Sequence, residues 1–353
     1  MEYGVIQATG ADGWKAGVRA EELGFDSIWF EDSQMVVADP FLAMATTAVK
    51  TKKIRLGTGV CIPSNRIPPS TANMLATINQ LAPGRVNWGV GTGFSGRRAM
   101  GMPAIKIKDF DAYVGAVRGL IDGETVDVAI ENENHKLKFL NPERGLFNTT
   151  DPIHFHIAAM GPRGRELTAR HNSNWIHLYS TNELAASDIK EMNSAYAEAG
   201  LNPSDYRKSA FVLGAVVNDG EAFDSPRVKA QAGPMAAVVI HNLMETQYGD
   251  LGTGGIGDNQ LMAAYHDLYD SYAPDDARYL TLHRGHALFL RDDEEPLMTG
   301  DFIKKHSFTD TVDELADKVK AMRDVGYTEV TFVILPDHMD MIDDWARVID
   351  KVG

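Results

Sequence analysis

The stretch Ile54–Phe94 constrains the fold more than any other, because it contains two strands that end in glycine and a helix between them. Its first strand, Ile54–Val60, is apolar and β-branched, which is typical of a buried parallel strand. Pro68–Pro69 opens the helix at a position where proline costs no hydrogen bond. The second strand, Val86–Val90, runs into Gly91–Gly93, where the backbone can approach a ligand closely. The stretch therefore predicts a βαβ unit with an open binding edge.

The same alternation of strand and helix recurs along the 353 residues and predicts an α/β fold, a (β/α)₈ TIM barrel. An open doubly wound sheet usually has fewer strands and a phosphate loop after its first strand, which is absent here. The predicted strands are Tyr3–Ala8, Ser27–Phe30, Ile54–Val60, Val86–Val90, Ile153–Ala158, Trp175–Tyr179, Ala210–Val217 and Val330–Leu335.

Two segments depart from the alternation inside what we predict to be a single domain, residues 1–353. Residues 124–151 form a small excursion, with Val126–Ile130 and Lys136–Leu140 as a hairpin. Residues 219–308 are too long for a barrel loop and predict a mostly helical insertion that covers the active site. Thr309 is expected to cap the helix after this insertion, with Thr311 as the alternative. Within the insertion we expect helices at Met235–Tyr248 and Gln260–Tyr269 and a turn at Gly252–Gly257.

The charge balance restricts the partners of this chain. It has 34 Lys plus Arg and 49 Asp plus Glu, a net charge of −15, which repels nucleic acid and anionic membranes. We therefore expect neither as a partner.

The single cysteine, Cys61, has no internal disulfide partner and fits a reducing compartment. No signal peptide or bilayer-spanning run is evident, so a cytoplasmic location is expected.

The predicted strand ends carry glycine, hydroxyl and amide groups rather than paired carboxylates or a histidine-rich set, so no metal site is expected. Such a rim suits a large planar cofactor held by backbone groups, with a phosphate at a helix N-terminus. Gly161–Gly164 is the best phosphate candidate, because it combines free backbone N–H groups, a helix start and the guanidinium of Arg163. A plain turn between strand and helix explains this segment equally well.

Taken together, these motifs resemble the bacterial-luciferase-like superfamily of flavin- and deazaflavin-dependent oxidoreductases over essentially the whole chain. The resemblance implies a TIM barrel that binds the coenzyme ring at the carboxyl ends of its strands, and a homodimer or higher homo-oligomer. It also implies a bulge in the third strand, often with a non-proline cis peptide, which corresponds to Gly59–Val60. The segments that carry it are Ala20–Trp29, Asp32–Ser33, Arg55–Val60, Pro68–Gln80, Gly84–Val86, Gly89–Gly93 and Ile157–Pro162.

The resemblance also suggests which residues contact the cofactor. One group surrounds the ring and a second group holds the phosphate. The ring group is Asp32, Thr58, Gly59, Val60, Gly91, Thr92, Gly93 and Phe94, and the phosphate group is Met160, Gly161, Pro162, Arg163, Tyr179 and Ser180.

Some positions depart from the family pattern. Deazaflavin-dependent members carry histidine directly after the strand-two aspartate, where this chain has Ser33, and this lowers the case for a dehydrogenase. Ser33 could bind a flavin peroxide or cap a turn. The insertion contains His283 and His286, which are candidate catalytic groups because histidine titrates near neutrality; the alternative is that they only fix the insertion. Arg97 and Arg98 are expected as a solvated loop pair rather than as anion ligands.

The first functional hypothesis is a flavin-dependent monooxygenase. Reduced FMN, supplied by a separate NAD(P)H:flavin reductase, would react with dioxygen to oxygenate a small organic substrate. The alternative is hydride transfer with the deazaflavin coenzyme F-420 (F420 below), which does not use oxygen. A third hypothesis is a non-catalytic flavin-binding protein.

Overall fold

The computed structural model describes residues 1–179, 181–245 and 259–353, so Ser180 and the predicted Gly252–Gly257 turn lie outside the described residues. Within these ranges, β1, β2, β3, β4, β7, β8, β9 and β12 form a closed parallel barrel in this order, with β12 paired to β1. The predicted TIM barrel is confirmed. In chain order the strands are β1 (Glu2–Gln7), β2 (Ser27–Phe30), β3 (Arg55–Cys61), β4 (Val86–Val90), β5 (Val126–Ile130), β6 (Glu133–Leu137), β7 (His154–Ala158), β8 (Asn174–Leu178), β9 (Lys208–Val212), β10 (Val216–Val217), β11 (Asp310–Thr311) and β12 (Glu329–Ile334).

The α-helices alternate with these strands and pack their apolar faces against the outside of the barrel. None of the helices in the described ranges is both long and apolar enough to span a membrane. In chain order the helices are α1 (Trp14–Glu22), α2 (Pro40–Ala48), α3 (Pro68–Leu81), α4 (Ser95–Arg98), α5 (Ile107–Ile121), α6 (Pro162–Arg170), α7 (Asn182–Glu198), α8 (Pro226–Met244), α9 (Asn259–Asp270), α10 (Tyr279–Leu282), α11 (Gly300–His306), α12 (Val312–Val325) and α13 (Met341–Val352).

Trp29 fills the middle of the barrel. Its fully buried ring packs edge-on against Phe211, and a Cβ atom on Gly57 would lie 2.3 Å from the Trp29 ring. At the amino ends of the strands, the buried Glu329 carboxylate accepts hydrogen bonds from Ser27 at 2.6 Å and Ser209 at 2.5 Å. Among the described residues, the barrel interior is therefore polar at its amino end and filled by Trp29 in the middle.

A bulge interrupts the pairing of β3 with β4 between Thr58 and Cys61, and the peptide bond between Gly59 and Val60 is cis. The Thr58 hydroxyl donates to the carbonyl oxygen of Gly89 at 2.7 Å, which ties the bulge to β4. Both features agree with what the resemblance implied for this strand. They bring the Gly59–Val60 backbone to the upper end of the barrel, above Trp29.

The hairpin formed by β5 and β6 differs in register from the predicted one. Ile130 pairs with Glu133 across a two-residue turn in which Glu131 and Asn132 have φ values of 55° and 67°. Two consecutive positive φ values are those of a type I′ turn, whose twist suits a tight hairpin. The predicted start of the second strand was therefore wrong, since this strand begins three residues earlier, at Glu133 rather than Lys136.

Two helix starts were also predicted wrongly. Helix α8 begins at Pro226 rather than Met235, because the Ser225 hydroxyl caps it by accepting a hydrogen bond from the Val228 amide at 3.2 Å. Thr311, the alternative candidate, caps α12. The hydroxyl of Thr309 instead accepts a hydrogen bond from the Ala215 amide at 3.1 Å, so it is committed to the chain that follows β9.

Candidate functional site

A cavity of about 270 Å³ opens at the carboxyl ends of the barrel strands. Its deeper walls are apolar side chains of the barrel, and its rim carries polar groups from three loops. Chain from the 219–308 segment completes the wall through Val238, His286 and Ala287. The remaining lining residues are Ile6, Glu31, Asp32, Ser33, Val36, Gly59, Val60, Ile62, Gly91, Thr92, Gly93, Phe94, Ser95, Gly96, Ala158, Met160, Ile176, Leu178, Phe211 and Leu213.

One wall of this cavity consists largely of glycine backbone. A Cβ atom on Gly91 would lie 2.8 Å from Cγ2 of Val60, and a Cβ atom on Gly59 would lie 2.8 Å from Cδ1 of Ile6. Gly93 has a φ of +82°, which L-residues rarely adopt. The glycines are therefore required by the close packing of this wall, and they leave a surface without projecting side chains.

Asp32 is anchored at the rim by a buried ion pair. It is 2% exposed, and its Oδ2 accepts hydrogen bonds from the Ile62 amide at 2.9 Å and from Arg66 at 2.8 Å. Arg66 also donates to Asp39 at 2.5 Å. The other carboxylate oxygen, Oδ1 of Asp32, is buried without a hydrogen-bond partner among the described residues. Asp32 is thus held rigidly at the rim.

Glu31 precedes Asp32 and also lines the cavity, although the sequence analysis did not select it. Its backbone is bound on both sides, since its N–H donates to Gln7 O at 3.2 Å and its carbonyl oxygen accepts from the Thr9 hydroxyl at 2.7 Å. Loss of solvation raises the pKa of Glu31 to about 7. The signal that could have found it is the two-residue period of a strand, which puts Glu31 on the same side as Trp29.

A chain of hydrogen bonds runs from the cavity into the insertion. The Ser95 hydroxyl lies 2.9 Å from Nε2 of His286, and Nδ1 of His286 lies 2.8 Å from Nδ1 of His241. Nε2 of His241 lies 2.6 Å from Glu294, which also forms an ion pair with Arg291 at 2.8 Å. Sequence reasoning missed Ser95, His241 and Glu294, because only the folded insertion brings them together.

The proton positions along this chain follow from the partners. The Glu294 carboxylate only accepts, so His241 donates from Nε2 and accepts at Nδ1. His286 must then donate from Nδ1, which leaves its Nε2 to accept the Ser95 hydroxyl proton. Burial is the largest cause that lowers the pKa of both imidazoles, which keeps them neutral.

The other residues selected around the insertion lie behind the cavity wall. His283 is absent from the described lining of the cavity. Its Nε2 lies 2.9 Å from the Glu245 carboxylate, a contact within the insertion that fits the alternative role of holding the insertion in place. Arg97 and Arg98 are buried, which overturns the expectation of a solvated pair. Arg97 donates to the carbonyl oxygen of Pro103 at 2.5 Å, and the Arg98 guanidinium lies 3.8 Å from the centroid of the Phe94 ring.

The predicted phosphate segment has a mixed placement. Met160 lines the cavity, whereas Gly161, Pro162 and Arg163 are exposed at the start of α6, which has no side-chain cap. Tyr179 faces away from the barrel interior, where its ring packs edge-on against Phe308 and Tyr327.

Thr58 also lies outside the cavity, because its hydroxyl holds the bulge on β4. Ser180 is outside the described residues. The structure thus brings several predicted residues together at the cavity, whereas Thr58, Tyr179, His283 and the exposed start of α6 lie elsewhere. The residues at the cavity are Asp32, Ser33, Gly59, Val60, Gly91, Thr92, Gly93, Phe94, Met160 and His286.

Sequence comparison finds relatives that are reductases and dehydrogenases. A 5,10-methylenetetrahydromethanopterin reductase of Methanolobus tindarius is 26% identical over 226 residues, 63% of this chain and 65% of the relative. An F420-dependent glucose-6-phosphate dehydrogenase of Beutenbergia cavernae is 31% identical over 175 residues, 45% of this chain and 50% of the relative. The chain thus matches less than two thirds of the length of either protein.

Solved structures with the same fold include enzymes of both coenzyme classes. The F420-dependent tetrahydromethanopterin reductase of Methanopyrus kandleri has a TM-score of 0.71 at 17% identity, covering 100% of this chain and 99% of its own. The oxygenating constituent of 3,6-diketocamphane monooxygenase from Pseudomonas putida, in complex with FMN, has a TM-score of 0.63 at 16% identity, covering 99% and 97%. At these identities the likeness concerns the fold alone.

A model of the luciferase-like monooxygenase family matches residues 11–329, which include all the described cavity residues except Ile6. This match covers most of the chain. The barrel, the bulge in β3 and the cavity at the strand ends lie within the matched region or are built largely from it. The protein therefore belongs to the luciferase-like monooxygenase family.

Proposed function

We propose that the protein is an F420-dependent oxidoreductase that transfers a hydride between the coenzyme and a small organic substrate. The names of the two sequence relatives, a reductase and an F420-dependent dehydrogenase, support this choice over the FMN-dependent monooxygenase, which was the first hypothesis from the sequence. One observation carries the proposal: the imidazole of His286 reaches the cavity and accepts the Ser95 hydroxyl proton, so a histidine orients a polar group of the site although none directly follows Asp32 in the sequence. The same loop contacts both His286 and Ser33: Ser95 lies 2.9 Å from Nε2 of His286, and a Cβ atom on the next residue, Gly96, would lie 3.1 Å from Cα of Ser33.

The residues of the cavity fit a planar ring system. The glycine wall formed by Gly59, Gly91 and Gly93 offers a surface without projecting side chains, against which a planar ring could lie. At about 270 Å³ the cavity is just below the roughly 300–1,000 Å³ of sites for drug-sized ligands, so it suits the ring alone. The rest of the coenzyme would then pass Met160 toward the exposed start of α6, where we keep Gly161, Pro162 and Arg163 as proposed phosphate contacts.

Bound F420 supplies a two-electron hydride carrier. The residues of this chain would orient the substrate and exclude water. The Ser95 hydroxyl donates its proton to His286 and keeps its lone pairs, so it would accept a hydrogen bond from a donor group of the substrate. We also propose that the 219–308 segment acts as a cover, since its side chains complete the cavity wall. A homodimeric or higher assembly and a cytoplasmic location stay predictions.

The test is a titration of the purified protein with F420, FMN and reduced FMN, followed by absorbance and fluorescence. We expect F420 to bind most tightly. Preferential binding of reduced FMN, with a near-ultraviolet peroxide band after oxygen is added, would instead establish the monooxygenase and require a partner flavin reductase. Binding of none of the three would contradict both enzymatic functions.

A further inference from the structure

We propose that Glu31 is the residue that exchanges a proton with the substrate oxygen during hydride transfer, an inference that rests on the proposed function. The substrate in this proposal is an alcohol, and its product is the corresponding carbonyl compound. It concerns a carboxylate in the cavity wall that neither the motifs nor the resemblance selected.

The position of Glu31 follows from the geometry of β2. The side chains of Ser27 and Trp29 point into the barrel, where Ser27 binds Glu329 and Trp29 packs against Phe211. Successive side chains of a strand alternate, so Glu31 is the next inward position and lies at the cavity. Its backbone hydrogen bonds to β1 and Thr9 continue the barrel to this point, so the carboxylate projects from a rigid support.

The other titratable groups that face the cavity are unsuited to this exchange. These are Asp32, from the same loop, and His286, from the insertion. Asp32 is bound to Arg66 and to the Ile62 amide, so its charge is already compensated. Burial and neighbouring cationic groups keep His286 neutral by lowering its pKa well below the usual range.

Glu31 differs from both groups because its carboxylate has no hydrogen bond or ion pair with any other described residue. Desolvation raises its pKa to about 7, which makes both protonation states accessible at neutral pH. A general acid or base is most effective when its pKa lies near the working pH.

In the oxidation direction, the C–H bond of the alcohol breaks and its electron pair leaves with the hydride, which reduces F420. The O–H proton moves to the Glu31 carboxylate, and the C–O bond becomes a carbonyl. In the reverse direction, protonated Glu31 donates to the carbonyl oxygen as the hydride arrives at carbon.

The first experiment needs no coenzyme and compares Glu31→Gln with Glu133→Gln, an identical change on the exposed hairpin. An unfolded glutamate titrates near 4.5 and folded Glu31 near 7, so the folded wild-type protein retains the proton longer. Wild-type stability should therefore fall as pH rises through this window. The urea midpoint of E31Q relative to wild type should rise between these pH values, whereas that of E133Q should stay constant. A flat difference for E31Q would overturn the assignment.

The second experiment measures loss of the visible absorbance of F420 with 2-propanol, cyclohexanol and glucose 6-phosphate as alcohol probes. We expect E31Q to bind F420 as wild type does, to lose about 10²–10⁴-fold in kcat, and to lose the pH limb near 7. Unchanged kcat with retained binding would overturn the role of Glu31 alone. Binding of F420 by wild type without oxidation of any probe would overturn the alcohol–carbonyl assignment, and no binding would overturn the proposed function itself.

Discussion

At the scale of single residues, the site is held by buried charges and by the absence of side chains. Asp32 and Arg66 form an ion pair in which the two side chains are 1% and 12% exposed. Removing one partner of such a pair leaves an uncompensated charge away from water, which costs more than the pair itself contributes. Gly91 acts differently, because any side chain there would occupy the wall against which we propose that the coenzyme ring lies.

Replacement of the guanidinium, Arg66→Met, should lower the free energy of unfolding by about 3–5 kcal/mol, because Asp32 remains buried and charged. Adding Asp32→Asn should recover a large part of this loss, since the amide oxygen still accepts from the Ile62 amide. Urea unfolding of the two single variants and the double variant measures this coupling. A single variant within 1 kcal/mol of wild type would contradict the importance of the pair.

The substitution Gly91→Ala should weaken F420 binding, since its Cβ atom would lie 2.8 Å from Val60 Cγ2. Overpacking of about 1–3 kcal/mol corresponds to roughly 5–150-fold in affinity. Fluorescence titration gives the dissociation constant, with Gly115→Ala on the distant α5 as the control for a glycine-to-alanine change. Equal affinities for wild type and G91A would show that the ring does not approach this wall.

At the scale of elements, α5 contains two interior glycines with opposite surroundings. A Cβ atom on Gly115 would have His171 Cε1 as its nearest neighbour, at 3.7 Å, which is ordinary contact. A Cβ atom on Gly119 would lie 2.6 Å from Cγ1 of Val126, at the start of β5. Gly119 therefore lets the hairpin pack closely on the helix, whereas Gly115 leaves room for a methyl group.

Alanine substitutions at Gly115 and Gly119 should change stability in opposite directions. Gly115→Ala should stabilise the protein by about 0.5–1 kcal/mol, because alanine loses less backbone entropy in a helix. Gly119→Ala should destabilise it by about 1–3 kcal/mol, because the hairpin must move. Urea unfolding under identical conditions compares the two variants, and a shift of the same sign for both would refute the packing argument.

At the scale of the whole molecule, the barrel is closed at its amino end by a polar cluster. Glu329 on β12 accepts hydrogen bonds from Ser27 on β2 and Ser209 on β9, and it lies 3.9 Å from Arg55 on β3. One carboxylate thus connects four strands. Trp29 lies between this cluster and the cavity, so the two ends of the barrel perform separate tasks.

Glu329→Leu should therefore destabilise the whole fold without altering the cavity. It leaves two buried hydroxyls without their acceptor and removes the carboxylate that lies 3.9 Å from Arg55, and we expect a loss of more than about 3 kcal/mol. Glu329→Gln, which retains an acceptor, should cost less. The urea midpoint measures stability and an F420 titration of the folded protein measures the site; a large loss of affinity in E329L would contradict the separation of the two ends.

Much of the barrel could be predicted because its signals are local. Strands buried on both faces are continuous apolar runs, and the glycines at their ends mark where backbone must approach a ligand. The βα alternation and the right-handed crossover then leave few topologies. The errors also had local causes. The predicted hairpin did not take account of the two positive φ values at its turn. Helix α8 was predicted to begin nine residues late, directly after Pro234, whereas the structure accommodates this proline inside the helix.

The site was only partly accessible from sequence, because its remaining members become neighbours across long separations. Ser95 and His286 are 191 positions apart, and His241 and Glu294 are 53 apart. Arg98 was expected in solvent, yet the insertion buries it beside Glu245. The sequence by itself determined the barrel, its glycine rim and the family, since these depend on periodicity and backbone demands. Only the tertiary structure decided which charges are desolvated and which acceptors lack partners, because both depend on what packs against each group.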